Sequence, residues 1–170
     1  SCPQDAQTDA YLCALQKQIR DFFSREGQCP VDTLYIGGGT PSVFGAARLC
    51  ALLQTIRDSA CLLPDAEITV EVNPESVSDD LLRALRAAGV NRISMGIQSS
   101  DDTQLAALGR LHTFARAKEA VAQIRALCTE NLSVDLMYGL PGQSMESWQQ
   151  SVEDILAQPM QDFIKENRGS

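Results

Sequence analysis

The stretch Ile68-Thr69-Val70-Glu71-Val72-Asn73-Pro74, continued by Ser78 to Gly89 and by Arg92-Ile93-Ser94-Met95-Gly96-Ile97, decides the fold. Ile68 to Val72 are strand formers, and Asn73-Pro74 stops them because proline cannot donate to a sheet ladder. Ser78 offers an N-cap for a helix over Asp79–Ala88, and Gly89 ends it in a conformation that other residues avoid. Arg92 to Ile97 returns to strand character. Strand, helix and strand follow one another with little connecting chain, the signature of a βαβ unit and so of parallel pairing.

The same alternation extends both ways. Upstream, Thr33 to Ile36 reads as a short strand running into Gly37-Gly38-Gly39-Thr40-Pro41; Ala46 to Ile56 has helical spacing, and Pro64 closes that connection. Before it, Tyr11, Leu12, Leu15, Ile19, Phe22 and Phe23 mark one face of a helix over Thr8–Arg25, ending near Gly27. Downstream, a polar connection with room for a short helix over Asp102–Leu108 leads to a helix over Phe114–Leu127. A strand over Val134–Tyr138 is halted by Gly139-Leu140-Pro141-Gly142, and a last helix spans Glu146–Leu156. The strands read as near-continuously apolar, as sheets covered by helices require. At 170 residues the chain is long enough for one core and short of the roughly 250 of a complete eight-stranded barrel. The expected fold is therefore α/β: a partial parallel (β/α) barrel of about four βα units. It forms one domain over residues 1–157, followed by an atypical, frayed tail over 158–170.

Composition narrows the function classes. Hydrophobic residues at 44% and charged residues at 21% are an ordinary globular balance. The net charge of −8, with no Lys/Arg stripe, argues against nucleic acid as a partner. No apolar run approaches the roughly 18 residues of a membrane span, and SCPQDAQTDA lacks the regions of a secretory signal, so a cytoplasmic location is expected. The six cysteines are spread without the two-to-four-residue spacing that wraps a metal, and read as core or surface thiols in a reducing compartment. No metal-ligating residue is expected in this chain.

Ligands of parallel α/β folds bind at the carboxyl ends of the strands. Each strand here carries polar residues there: Gly37 to Thr40, then Glu71 and Asn73, then Gln98-Ser99-Ser100, then Asp135. The triglycine loop lets backbone groups approach a ligand closely, its carbonyls could hold an ammonium, and Thr40 adds a hydroxyl. A structural tight turn is an equal reading of the loop alone. It has neither the Lys-Ser/Thr of a phosphate-binding loop nor the spacing of a dinucleotide fingerprint. Glu71 could accept two hydrogen bonds from a ribose diol, or be satisfied by a neighbouring cation or amide; Asp135 has the same two readings. Arg110 could pair with a ligand carboxylate through its planar fork, although such an Arg is more often solvated. His112, the one histidine, is more often a loop or cap residue than a ligand.

TLYIGGGTPSVF, ITVEVNPES, GVNRISMGIQSSDD, LAALGRLHTFARAKEAV and SVDLMYGLPGQSMESW occur in this order and spacing. Over Thr33–Leu156 the chain thereby resembles the radical S-adenosylmethionine proteins around oxygen-independent coproporphyrinogen III oxidase. LGRLH with the later GLPGQ is more similar to their heme-chaperone branch. The resemblance implies a three-quarter barrel that binds S-adenosylmethionine, with Gly39 and Thr40 at its methionyl part and Glu71, Gln98, Arg110 and Asp135 as further cofactor-binding residues. For the parent it implies a [4Fe–4S] cluster, a reductant for that cluster, and heme or porphyrin as partner. In the oxidase a 5′-deoxyadenosyl radical abstracts hydrogen from porphyrinogen propionate side chains; a heme-binding and delivery protein without that activity is the other reading.

The family's C-x3-C-x2-C cluster motif does not occur in these 170 residues, and Cys2 alone does not replace it. The sequence thus reads as a central fragment, beginning after the cluster loop and ending before the later strands. It is expected to be inactive by itself, to hold no catalytic residue of its own, and to bind the cofactor weakly. An open partial barrel that associates through its strand edges is a third possibility.

Overall fold

The structure, a computed structural model, describes residues 3–27 and 29–157. The tail expected over 158–170 and Cys2 lie outside the described residues. Helix α1 spans Pro3–Glu26, starting earlier than its apolar spacing indicates. Strand β1 (Pro30–Ile36) leads through a 3₁₀ turn at Pro41–Phe44 into α2 (Ala46–Ser59). Strand β2 (Cys61–Val72) ends in a second 3₁₀ turn, Pro74–Ser76, before α3 (Asp79–Ala87) and β3 (Arg92–Gln98). Then come α4 (Asp102–Ala107), α5 (Phe114–Leu127), β4 (Leu132–Leu136) and α6 (Met145–Leu156). The four strands form one sheet in the order β1-β2-β3-β4, every neighbouring pair parallel.

The element starts have side-chain causes. Ser78 Oγ accepts from Leu81 N at 3.3 Å, Thr113 Oγ1 from Arg116 N at 3.3 Å and Ser144 Oγ from Ser147 N at 3.1 Å, each satisfying an amide left over in a first helical turn. Pro64 does not close the connection before β2, as its sequence context suggests; it lies inside the strand. Val31 pairs with Leu62 and Thr33 with Glu67, so Leu63, Pro64, Asp65 and Ala66 stand against Asp32 alone. The ladder is broken by this bulge, where the missing proline N–H costs no pairing.

The strands also differ from the near-continuously apolar expectation, because they alternate. Ile68, Val70, Val72, Ile93, Met95 and Ile97 are buried in one core with Leu49 and Leu53 of α2, Leu82 and Leu85 of α3, Val121 and Ile124 of α5 and Ile155 of α6. Each fully buried aliphatic side chain contributes about 1.5–3 kcal/mol by leaving water. The intervening residues Glu67, Thr69, Glu71, Arg92, Ser94, Ser133 and Asp135 occupy the opposite face, since strand side chains alternate. They bond to one another: Arg92 Nη1 to Glu67 Oε1 at 3.0 Å, Arg92 Nη2 to Ser133 Oγ at 3.3 Å, and Thr69 Oγ1 to Glu67 Oε1 at 3.1 Å. One face of the sheet thus binds the helices, and the other is a polar floor leading up to the carboxyl ends of the strands.

Candidate functional site

At the end of β1 the chain must pass over the side chain of Glu71. A Cβ on Gly37 would stand 2.8 Å from Glu71 Cδ and 2.5 Å from Tyr35 Cε1, so only glycine allows the approach. Glu71 then accepts from Gly38 N at 3.0 Å and from Tyr35 Oη at 2.5 Å. Donation to this carboxylate, together with burial, raises the Tyr35 phenol above its ordinary value.

Beside it runs a second chain of bonds. Asn73, where β2 ends, donates through Nδ2 to Thr40 Oγ1 at 2.9 Å and accepts at Oδ1 from Arg110 Nη1 at 3.2 Å. Arg110 follows α4, held by its own amide on Leu105 O at 2.9 Å. It is half-buried and bonded, where the sequence favours a solvated side chain.

Gln98 ends β3 at a φ of 76°, the one positive φ among the described non-glycine residues. Such a backbone costs on the order of 1–3 kcal/mol unless its surroundings hold it. Here the register between β3 and β4 shifts between Gly96 and Gln98, and Met137 N bonds Gln98 O at 2.9 Å. A Cβ on Gly96 would lie 2.6 Å from Gln98 Nε2, so the Gln98 amide folds back over glycine backbone. On β4, Asp135 is exposed and accepts from Ser94 Oγ at 3.3 Å.

These groups surround one cavity of about 190 Å³, lined among others by Gly39, Thr40, Glu71, Gln98, Arg110 and Asp135. All six residues singled out in the sequence meet there. Asn73, Ser94 and Gly96 line it as well; the sequence marks Asn73 only as a polar strand end. Ser94 and Gly96 could have been found from the two-residue alternation of β3, which puts them on the face of Glu71 and Asp135. Complete small-molecule pockets run to roughly 300–1,000 Å³, so the described residues supply part of an enclosure. His112 is away from the cavity, buried in the loop between α4 and α5.

The family model described as the radical SAM superfamily matches residues 17–155. The chain belongs to this superfamily. Among curated relatives, this radical SAM chain is 39% identical over 145 residues to the heme chaperone HemW of Mycobacterium tuberculosis, covering 85% of the chain and 37% of the relative. It is 37% identical over 154 residues to the mitochondrial radical S-adenosyl methionine domain-containing protein 1 of Mus musculus, covering 91% and 35%. Coproporphyrinogen III oxidase (HemN) from Escherichia coli, a radical SAM enzyme, superposes with a TM-score of 0.82 at 31% identity, covering 90% of the chain and 35% of that structure. That match makes the four-stranded sheet part of a radical SAM barrel. The archaeal Elp3 of Methanocaldococcus infernus, at 19% identity and a TM-score of 0.61, shares the fold. The chain spans little more than a third of these first relatives, at 35% and 37% of their lengths.

Radical SAM proteins use S-adenosylmethionine with a [4Fe–4S] cluster. The cavity's polar set suits the former: two carboxylates, a guanidinium, two hydroxyls and two primary amides match an ammonium, a carboxylate and a ribose diol. It does not suit the cluster. No cysteine lines the cavity, and no group of three or more metal-ligating side chains occurs among the described residues.

Proposed function

We propose that the chain is the S-adenosylmethionine-binding part of a radical SAM protein of the coproporphyrinogen oxidase-like family, and that the parent is a heme chaperone. The convergence of Gly39, Thr40, Glu71, Gln98, Arg110 and Asp135 on one polar cavity carries this reading. In it, Gly39 and Thr40 face the methionyl end, Arg110 pairs with the cofactor carboxylate, and Glu71 and Asp135 receive hydroxyl or ammonium donors. The bound cofactor supplies radical chemistry once a reduced cluster stands beside it; these residues supply its seat and orientation. The unit that does so is a single partial-barrel domain over residues 1–157.

Heme as the parent's ligand is supported by the heme chaperone among the relatives, and a separate reductant follows from the cluster. Five free cysteines among the described residues agree with a cytoplasmic or other reducing location, and no described helix is long and apolar enough to cross a membrane. The superposition on coproporphyrinogen III oxidase favours a second reading, oxidative decarboxylation of a porphyrinogen. Two measurements on the full-length protein separate them: heme binding without coproporphyrinogen consumption is expected, and oxidase turnover sinks the chaperone assignment.

The cofactor seat is tested on the chain itself by titrating S-adenosylmethionine to millimolar concentration while following backbone amide resonances. Shifts at Gly39, Gln98 and Arg110, lost in Glu71→Ala, are expected. Resonances unmoved at millimolar cofactor refute the seat.

A further inference from the structure

The buried imidazole of His112 stands between two acceptors. Its side chain is 0% exposed; Nδ1 lies 3.0 Å from Glu75 Oε2 and Nε2 lies 3.3 Å from the Ile97 carbonyl oxygen. A carbonyl and an ionised carboxylate only accept, whereas a neutral imidazole has one N–H and one lone pair. Both bonds exist together only if the group holds one proton more than a neutral ring beside a carboxylate. Without that proton, the single ring N–H goes to the stronger acceptor, the Glu75 carboxylate, and the Nε2 lone pair faces the Ile97 carbonyl oxygen inside the protein, where an unmatched pair is costly.

What His112 joins gives this consequence. Glu75 is two residues beyond Asn73, Ile97 immediately precedes Gln98, and His112 is two residues beyond Arg110. Each of its attachment points is thus within two residues of a cavity-lining side chain on a different element. The Asn73–Arg110 bond and the Glu75–His112 bond are two rungs between the same pair of loops, and the bond to Ile97 O ties both loops to β3. The other charged groups on the surrounding elements are engaged elsewhere. Arg110 is on Asn73 and Arg116 of α5 on the Val77 carbonyl; Asp101 caps α4, and Asp102 accepts from Phe114 N. Glu75 is therefore the one charged partner bonded to the ring among the described residues.

We propose that His112 is a positioning residue whose proton, shared with Glu75, sets the alignment of Asn73, Gln98 and Arg110 and so makes cofactor binding pH-dependent. This rests on the reading of the cavity as the S-adenosylmethionine seat. With the proton present the three walls are locked together. Without the proton, the Ile97 contact turns from bond to repulsion, the loop carrying Arg110 loosens from β3, and affinity falls at higher pH.

Glu75→Gln separates this from a merely structural role. A glutamine amide donates to Nδ1 of a neutral ring while Nε2–H still reaches Ile97 O, so the clamp is complete without the extra proton. S-adenosylmethionine is titrated into the chain and into the Glu75→Gln variant from about pH 5 to about pH 8, the span across which histidine ordinarily changes charge. The affinity of the unsubstituted chain is expected to fall roughly threefold to tenfold more than that of the variant, the worth of one hydrogen bond. The cofactor's own titration is common to both. Parallel profiles overturn the proposal. A measurement without cofactor distinguishes failure here from failure of the cofactor seat: ring ¹⁵N shifts report the proton on His112, while backbone amides report Asn73, Gln98 and Arg110. Amides that track the ring in the unsubstituted chain, and not in the variant, support the clamp even if no cofactor binds; amides that ignore the ring refute it.

Discussion

Replacing Gly37 by alanine tests how tightly the carboxylate of Glu71 is fitted under the first loop. The added methyl would sit 2.8 Å from Glu71 Cδ, 2.9 Å from Oε1 and 2.5 Å from Tyr35 Cε1, against about 3.5–4.0 Å for a relaxed contact. The carboxylate or the phenol ring must therefore move by about 1 Å, enough to break the bonds from Tyr35 Oη and Gly38 N. Tyr35 is 55% exposed, so water replaces the lost partners, and the stability cost is on the order of 1 kcal/mol or less. Gly37 has no positive φ, and removing a glycine restricts the unfolded chain, which returns about 0.4–1 kcal/mol. Unfolding in urea should then shift by no more than about 1 kcal/mol in either direction. The Tyr35 phenol changes more. Its pKa is raised chiefly because it donates to Glu71, so the stabilisation from this pair is fully present below the ordinary phenol range near 10 and is lost as pH rises through the raised value. In Gly37→Ala the phenol should ionise earlier, nearer its ordinary range. Ultraviolet titration reads this, with Tyr35→Phe identifying which of the tyrosines responds. An unchanged Tyr35 titration, or a loss of stability above about 3 kcal/mol, refutes the reasoning.

Ser78→Ala removes the oxygen that accepts from Leu81 N and should lower stability by about 1 kcal/mol in a urea titration; no change would mean that water caps α3 equally well. Burial pushes the thiols of Cys50 and Cys128 up, so at mildly alkaline pH both should alkylate more slowly than the exposed Cys13, Cys29 and Cys61. Equal rates by mass spectrometry in the native chain would contradict the burial of Cys128.

How far the sequence could be read follows from which signals are local. Helix α5 lies where its spacing puts it because Ala117, Ala120, Val121 and Ile124 recur on one buried face and Thr113 caps it. Strand β4 lies two residues earlier than its apolar letters suggest. Met137 and Tyr138 look like strand yet are 40% and 70% exposed, and Tyr138 packs edge-on against Trp148 instead of joining the ladder. The bulge around Pro64 depends on the register with β1, and the positive φ of Gln98 on the register with β4; neither register is written in the segment it distorts. Of the six cavity residues picked out in the sequence, Gly39, Thr40, Glu71, Gln98 and Asp135 were legible by strand-end position, and Arg110 by family likeness alone. The bonds of Arg110 and His112 were not, because Asn73 and Glu75 lie 37 residues away from their partners.

The alternation along β2, β3 and β4 has a consequence for how this protein can change. Residues that touch helices and residues that face the floor belong to two interleaved sets with almost no shared members. The floor can therefore be rewritten, with one ligand exchanged for another, while the helix-facing set holds the architecture constant. Conversely, a one-residue slip of any strand would drive Glu71 or Arg92 into aliphatic packing, so the residues that admit new chemistry also forbid misalignment.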